Sequence, residues 1–173
     1  MTGSGRWLIS TPESAVWCPA ISRACGSSLC GRLSASCQQN AIIDGEIICL
    51  DGKGVSQFNA LLTTKGRDAA AFYAFDLIWL NGADLRRKPL VERKARLCEL
   101  IRKSRCPRLL YAQHVDAAGK ELFHEICRCD LEGIVAKRKM GMYREDRPDW
   151  LKIKNRTYSQ AEGRHELLTR KKN

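Results

Sequence analysis

The amino-acid sequence predicts an α+β fold of mostly antiparallel strands with helices packed on them. Two observations carry that reading. Apolar runs of strand length, such as Ala70–Leu80 and Gly133–Lys137, are interleaved with two segments of helical period. Turn chemistry at Asp51-Gly52 and Asn81-Gly82 separates them. There is no GxGxxG, no P-loop and no internal repeat. The chain of 173 residues suits one domain, or most of one.

In chain order, Ala41–Leu50 is an apolar strand broken by Asp44 and Glu46. Phe58–Leu62 predicts a short helix. Ala70–Leu80 is a long apolar and aromatic run suited to a buried strand. Pro89 opens a helix through about Lys103, with Leu90, Leu97, Leu100 and Ile101 on one side and Arg and Lys on the other. Leu109–Val115 predicts a strand. Ala118–Cys129 predicts a helix with Leu122, Phe123, Ile126 and Cys127 facing in. Gly133–Lys137 and Trp150–Lys154 are the last strands, followed by a polar, basic tail.

The first forty residues differ from the rest. They hold eight Ser, four Cys, one acidic residue (Glu13) and no Lys, and they show no sustained helix or strand period. Every Lys lies at or after Lys53. An Arg/Ser-rich transit peptide, a disordered extension or an aberrant, frame-shifted start would each give such a segment.

With 30 Lys+Arg against 19 Asp+Glu, the net charge of +11 points to a polyanionic partner, nucleotide or nucleic acid, although a merely basic surface has the same charge. No run approaches the roughly 20 apolar residues of a membrane helix. The nine cysteines are spaced poorly for zinc, with no CxxC. With no secretory signal, they predict reduced thiols in the cytoplasm.

Four local patterns carry chemistry. Asp44-Gly45-Glu46 puts acids inside an apolar strand, where they are costly unless paired or facing a cleft. Phe75, in Phe72–Leu77, is a core residue or a platform for a purine. Glu132, before Gly133–Lys137, is an exposed turn residue or an oxygen ligand for Mg²⁺. Lys152 and Lys154 alternate with Leu151 and Ile153, so a strand aims both ammonium groups at one face. They are solvated edge lysines or a polyphosphate clamp. Together, carboxylates, an aromatic face and paired lysines are what a nucleotide–Mg²⁺ complex requires.

These residues resemble the covalent nucleotidyltransferases, specifically ATP-dependent DNA ligases of the bacterial end-joining type. IIDGEII is similar to their third motif, FYAFDLIWLNG to the one after it, LEGIVAKR to the fourth and DWLKIKN to the fifth. DLRRKPLVERKARL is also typical, and the likeness spans about residues 41–165. It implies a partial, ATP-grasp-like adenylation domain over 41–155, with a basic tail at 156–173. It also implies ATP and Mg²⁺ as cofactors, with nicked double-stranded DNA and end-joining repair proteins as partners. By resemblance Phe75 stacks on adenine, Glu46 binds nucleotide or metal, Glu132 sits at the metal, and Lys152 and Lys154 hold phosphates. Lys152 neutralises charge as pyrophosphate leaves.

One feature departs from the family. Its nucleophilic lysine lies in a KxDG motif upstream of the DGE strand, and no lysine precedes Lys53. Arg6, Arg23 and Arg32 cannot replace it, because a guanidinium stays protonated. Only nineteen residues follow Lys154, too few for the oligonucleotide-binding barrel that usually comes next. The expectation is a truncated copy without a catalytic lysine. The alternatives are one part of a split ligase, a non-catalytic nucleotide- or nucleic-acid-binding fragment, an RNA-ligase or capping relative, and an unstable remnant.

Overall fold

The computed structural model describes residues 7–10, 40–52, 57, 60, 63–116, 118–145 and 150–159. Within them the elements run β1 (Trp7–Ser10), β2 (Ala41–Ile48), α1 (Thr64–Ala69), β3 (Ala71–Leu80), β4 (Ala83–Asp84), α2 (Leu90–Ser104), β5 (Leu109–Tyr111), β6 (Val115–Asp116), α3 (Gly119–Arg128), β7 (Gly133–Arg138) and β8 (Trp150–Lys154). They form two sheets. One has the order β6-β1-β7-β8; the other has β2-β3-β4, with β5 also on β3. Every pairing is antiparallel except β3 with β5. The expected α+β class holds.

Three features depart from the sequence expectation. Trp7–Ser10 is a strand, although the first forty residues show no strand period; β1 is only four residues long and lies between β6 and β7. The expected strand Leu109–Val115 is two strands. Leu109–Tyr111 pairs with β3, while Val115 and Asp116 pair with β1, so the intervening residues carry the chain from one sheet to the other. Third, α2 does not keep its cations on the outer side. Arg93 and Lys94 are buried beside Leu90 and Leu97. They occupy positions i+3 and i+4 from Leu90, on the same stripe. The expected helix Phe58–Leu62 and the tail beyond residue 159 lie largely or wholly outside the described residues.

Each sheet has its own core. Phe72, Ala74 and Leu77 of β3 pack with Leu85, with Leu97 and Leu100 of α2, and with Leu109. Ile134 and Ala136 of β7 pack with Ile9 and with Ile126 of α3. Complete burial of Leu77 and Leu97 contributes about 1.5–3 kcal/mol each. Gly45 is needed where it is: a Cβ there would lie 2.4 Å from the Tyr73 carbonyl oxygen and 2.7 Å from the Phe72 ring.

A buried ion pair joins these layers. Arg93 Nε and Nη2 each donate to the Asp76 carboxylate at 2.8 Å, and both side chains are almost wholly buried. Arg93 Nη1 donates to the carbonyls of Lys88 and Gly141, and the Tyr143 ring lies 5.9 Å from the guanidinium. The Leu77 amide donates to Asp76 Oδ1 at 2.8 Å. The Leu90 and Val91 amides donate to the carbonyls of Gly141 and Lys139. The β7–β8 connection is thus tied to the start of α2.

Removing one partner of a buried pair leaves the other charge uncompensated. Asp76→Ala is expected to cost about 3–5 kcal/mol of stability in urea unfolding; a loss under about 1 kcal/mol, as for an exposed pair, would contradict this burial.

Candidate functional site

The inner face of the second sheet is set by the register of β2 and β3. Asp44 pairs with Asp76 and Glu46 with Tyr73. Residues directly opposite in an antiparallel pair share a face, and so do residues two apart on one strand. Asp44, Glu46, Tyr73 and Asp76 therefore lie on one side. The register shifts between Asp44 and Gly45, leaving Phe75 as an extra residue on β3. Such a bulge re-aims a side chain. The Phe75 ring meets that of Tyr73 edge-on at 5.5 Å and is half-buried.

The facing surface belongs to β7 and β8. Ile134 and Ala136 point to α3, so Val135 and Lys137 point the other way. Lys152 pairs with Val135 and Lys154 with Gly133, which puts both lysines on the Lys137 face. Gly133 has φ 150°, and a Cβ there would lie 2.1 Å from the Ile153 carbonyl oxygen, so only glycine permits this close β7–β8 pairing. Lys137 Nζ lies 5.9 Å from the centre of the Phe75 ring. That approach turns the lysine face toward the aromatic and acidic face, and the space between the two sheets is the candidate cleft.

Glu132 and Lys152 meet at the mouth of β7, with Lys152 Nζ 2.7 Å from Glu132 Oε1 and both side chains largely buried. Asn155 holds this corner. Its amide nitrogen donates to the Glu132 carbonyl at 2.7 Å, and its side-chain nitrogen donates to the Leu131 carbonyl at 3.1 Å.

The five residues expected from sequence thus fall in two groups. Glu132 and Lys152 touch, and Lys154 shares their face but is exposed. Glu46, only 2% exposed, and Phe75 lie on the opposing sheet. Glu46 and Glu132 do not share a strand pair, and among the described residues no group of three or more His, Cys, Asp or Glu forms a metal cluster. The fit to Mg²⁺ is therefore partial: one carboxylate, Glu132, already paired with Lys152. Mg²⁺ is commonly held by one or two carboxylates plus substrate phosphates.

Sequence reasoning flagged Asp44 only as an acid in an apolar strand, and it missed Lys137 together with the buried Arg93 and Lys94. The signals were present. Asp44 is two before Glu46, and Lys137 is two after Val135 in strand alternation. Burial raises the Asp44 pKa, and Asp76 adds to this, while Lys137 and Arg93 oppose it. Burial pushes the Tyr143 hydroxyl up to about 12. Burial also pulls the Lys94 ammonium down to about 8, helped by Lys137 and opposed by Asp76. The five described cysteines are all free. No helix among the described residues is long and apolar enough to cross a membrane.

A family model for the ATP-dependent DNA ligase domain matches residues 29–154. The chain belongs to that family. Its members are ATP-dependent nucleotidyltransferases. The match begins at residue 29, upstream of the four motifs. The multifunctional non-homologous end joining protein LigD of Pseudomonas aeruginosa is 35% identical over 120 residues, covering 67% of this chain and 14% of that protein. The SPbeta prophage-derived DNA ligase-like protein LigB of Bacillus subtilis is 28% identical over 126 residues, covering 69% of this chain and 46% of that one. The chain therefore spans a minor part of each relative. Among solved structures, the ligase domain of Mycobacterium tuberculosis LigD has a TM-score of 0.64 at 22% identity, covering 87% of this chain and 54% of that one. A mycobacterial DNA ligase D complexed with ATP has a TM-score of 0.57 at 26% identity, covering 87% and 51%.

The raised Asp44 pKa gives a signed expectation. A carboxyl whose folded pKa lies above its unfolded value destabilises the native state when ionised, and that cost disappears as the pH falls below both values. Asp44→Asn should melt higher than the parent chain at pH 7, and the gain should shrink steadily toward pH 3. An equal or lower melting point at pH 7 contradicts the assignment.

Proposed function

We propose that this chain is an adenine-nucleotide-binding portion of a ligase that seals nicks in DNA by adenylate transfer, and that it cannot adenylate itself. The observation that carries the reading is the Lys137–Phe75 contact, which sets a lysine-bearing sheet across a cleft from an aromatic and acidic one. Adenine would stack on Phe75, with Tyr73 bracing the ring edge-on. The triphosphate would run along the opposing face toward Lys152 and Lys154. Glu46 would meet the nucleotide from the second sheet.

Glu132 would offer its carboxylate to Mg²⁺ held chiefly by the nucleotide phosphates, and the metal would add Lewis-acid charge there. Lys152, in this account, exchanges Glu132 for a phosphate oxygen. Its ammonium then stabilises the charge that develops as pyrophosphate leaves. These roles are proposals for the five side chains. So is Mg²⁺.

Self-adenylation needs a nucleophilic amine at the α-phosphate. The family places it upstream of the DGE strand, and residues 1–52 contain no lysine. Nicked double-stranded DNA is the proposed substrate partner, consistent with the net charge of +11. The similarity to end joining proteins supports repair factors as further partners. The cytoplasm is the proposed compartment.

Two measurements test this. Calorimetric titration should show ATP binding that Phe75→Ala weakens about 5- to 100-fold, as expected for losing a stacked base; unchanged binding removes Phe75 from the site. Incubation with labelled ATP and Mg²⁺ should leave no covalent AMP on the protein, whereas an adduct refutes the claim of incompetence.

A further inference from the structure

The edge of β3 opposite β2 is incompletely paired. β5 covers Phe72 to Ala74, and β4 covers only Trp79 and Leu80. Among the described residues no strand pairs with the stretch from Phe75 to Ile78 on that edge. Its carbonyls meet other donors there. The Leu85 amide donates to the Ile78 carbonyl at 2.8 Å. Lys94 Nζ donates to the Phe75 carbonyl at 3.2 Å and to the Ala112 carbonyl at 3.0 Å.

Ala112 is where the parallel ladder ends. Its amide still donates to the Ala74 carbonyl at 2.9 Å, and the chain then departs for the other sheet. Ala112 is fully buried, so without a donor its carbonyl would remain unsatisfied in the interior. Phe75 is the extra residue of the bulge. One ammonium therefore closes the ladder and anchors the backbone of the residue whose ring faces the cleft. The Tyr111 ring lies 4.6 Å from the same Nζ and fixes it from a third direction.

We infer that Lys94 is a positioning residue for the nucleobase: it holds the Phe75 bulge in the conformation that presents the ring to a purine, and it touches no part of the nucleotide. The inference rests on the nucleotide reading of the cleft. Its chemistry is local. Nζ supplies donors to two carbonyls. Lys137, on the far side of Phe75, contacts the ring rather than the backbone. The two cations thus bracket one residue, one tying its carbonyl and the other covering its ring. A bulge without this anchor can relax along β3 and turn the ring from the cleft. The phosphate-facing lysines of β8 lie on the other sheet and would be unaffected.

That division gives a discriminating test. ATP carries base and phosphates; inorganic tripolyphosphate carries phosphates alone. Binding of each would be titrated to the full chain and to Lys94→Met and Lys94→Arg, well below the melting temperature found by circular dichroism for each. Lys94→Met is expected to lose about 10-fold in ATP affinity and to keep tripolyphosphate affinity within twofold. Lys94→Arg, which retains donors to both carbonyls, is expected to recover most of the ATP affinity.

Equal ATP affinity in Lys94→Met and the parent overturns the positioning role while leaving the nucleotide site intact. Parallel loss of both ligands assigns Lys94 to general folding and also overturns it. A parent chain that binds neither ligand overturns the nucleotide reading, and the inference with it. Should Lys94→Met not fold, Lys94→Gln takes its place and is read by the same two affinities.

Discussion

The arrangement depends on a buried ion pair, Asp76 with Arg93. An aspartate inside an apolar strand is costly unless a cation meets it, and Arg93 meets it with two parallel hydrogen bonds of 2.8 Å. The same guanidinium reaches the Gly141 carbonyl, on the connection between β7 and β8. One side chain therefore links β3, α2 and the segment that joins the two lysine-bearing strands. The link ties the wall that carries Asp76 to the connection between the two strands of the other wall. A buried pair is weak evidence for net stability, since apolar replacements can be as stable. Here it serves geometry, because only a planar donor fork can satisfy a carboxylate and two carbonyls at once.

Around that link the cleft is electrostatically divided. The second sheet carries Asp44, Glu46 and Asp76 with the Phe75 and Tyr73 rings; the first carries Lys137, Lys152 and Lys154. The two faces differ in charge, and the proposed function assigns them to the two ends of a nucleotide. The Glu132–Lys152 contact is the point where the lysine wall is already neutralised from within. A carboxylate and an ammonium that satisfy each other without ligand can separate when a phosphate and a divalent cation arrive together. Neither ion alone offers both of them a new partner.

Much of this was legible in the sequence because it is local. Strand alternation alone put Lys152 and Lys154 on one face, and both helices along 90–128 begin and end within about two residues of expectation. The alternation argument also covers Lys137 and Asp44, but each reads as ordinary within its motif. What the sequence hid depends on partners distant along the chain. Arg93 and Lys94 look like the solvated side of an amphipathic helix until Asp76 and the free carbonyls of β3 are seen against them. The break of Leu109–Val115 into two strands reflects two sheets competing for one segment, which periodicity cannot register. Trp7–Ser10 is too short for a periodic signal, and only pairing with β7 identifies it. The engagement of Glu132 by Lys152, twenty residues on, follows from β7–β8 register rather than from either motif.

The central claim is that the side chains of both walls serve a single adenine nucleotide. A co-crystal structure with a non-hydrolysable ATP analogue tests it most directly. The account places the purine against the Phe75 ring and the phosphates beside Lys152 and Lys154, with Glu132 released from Lys152. A nucleotide bound elsewhere, or one that leaves the Phe75 ring uncovered, contradicts it.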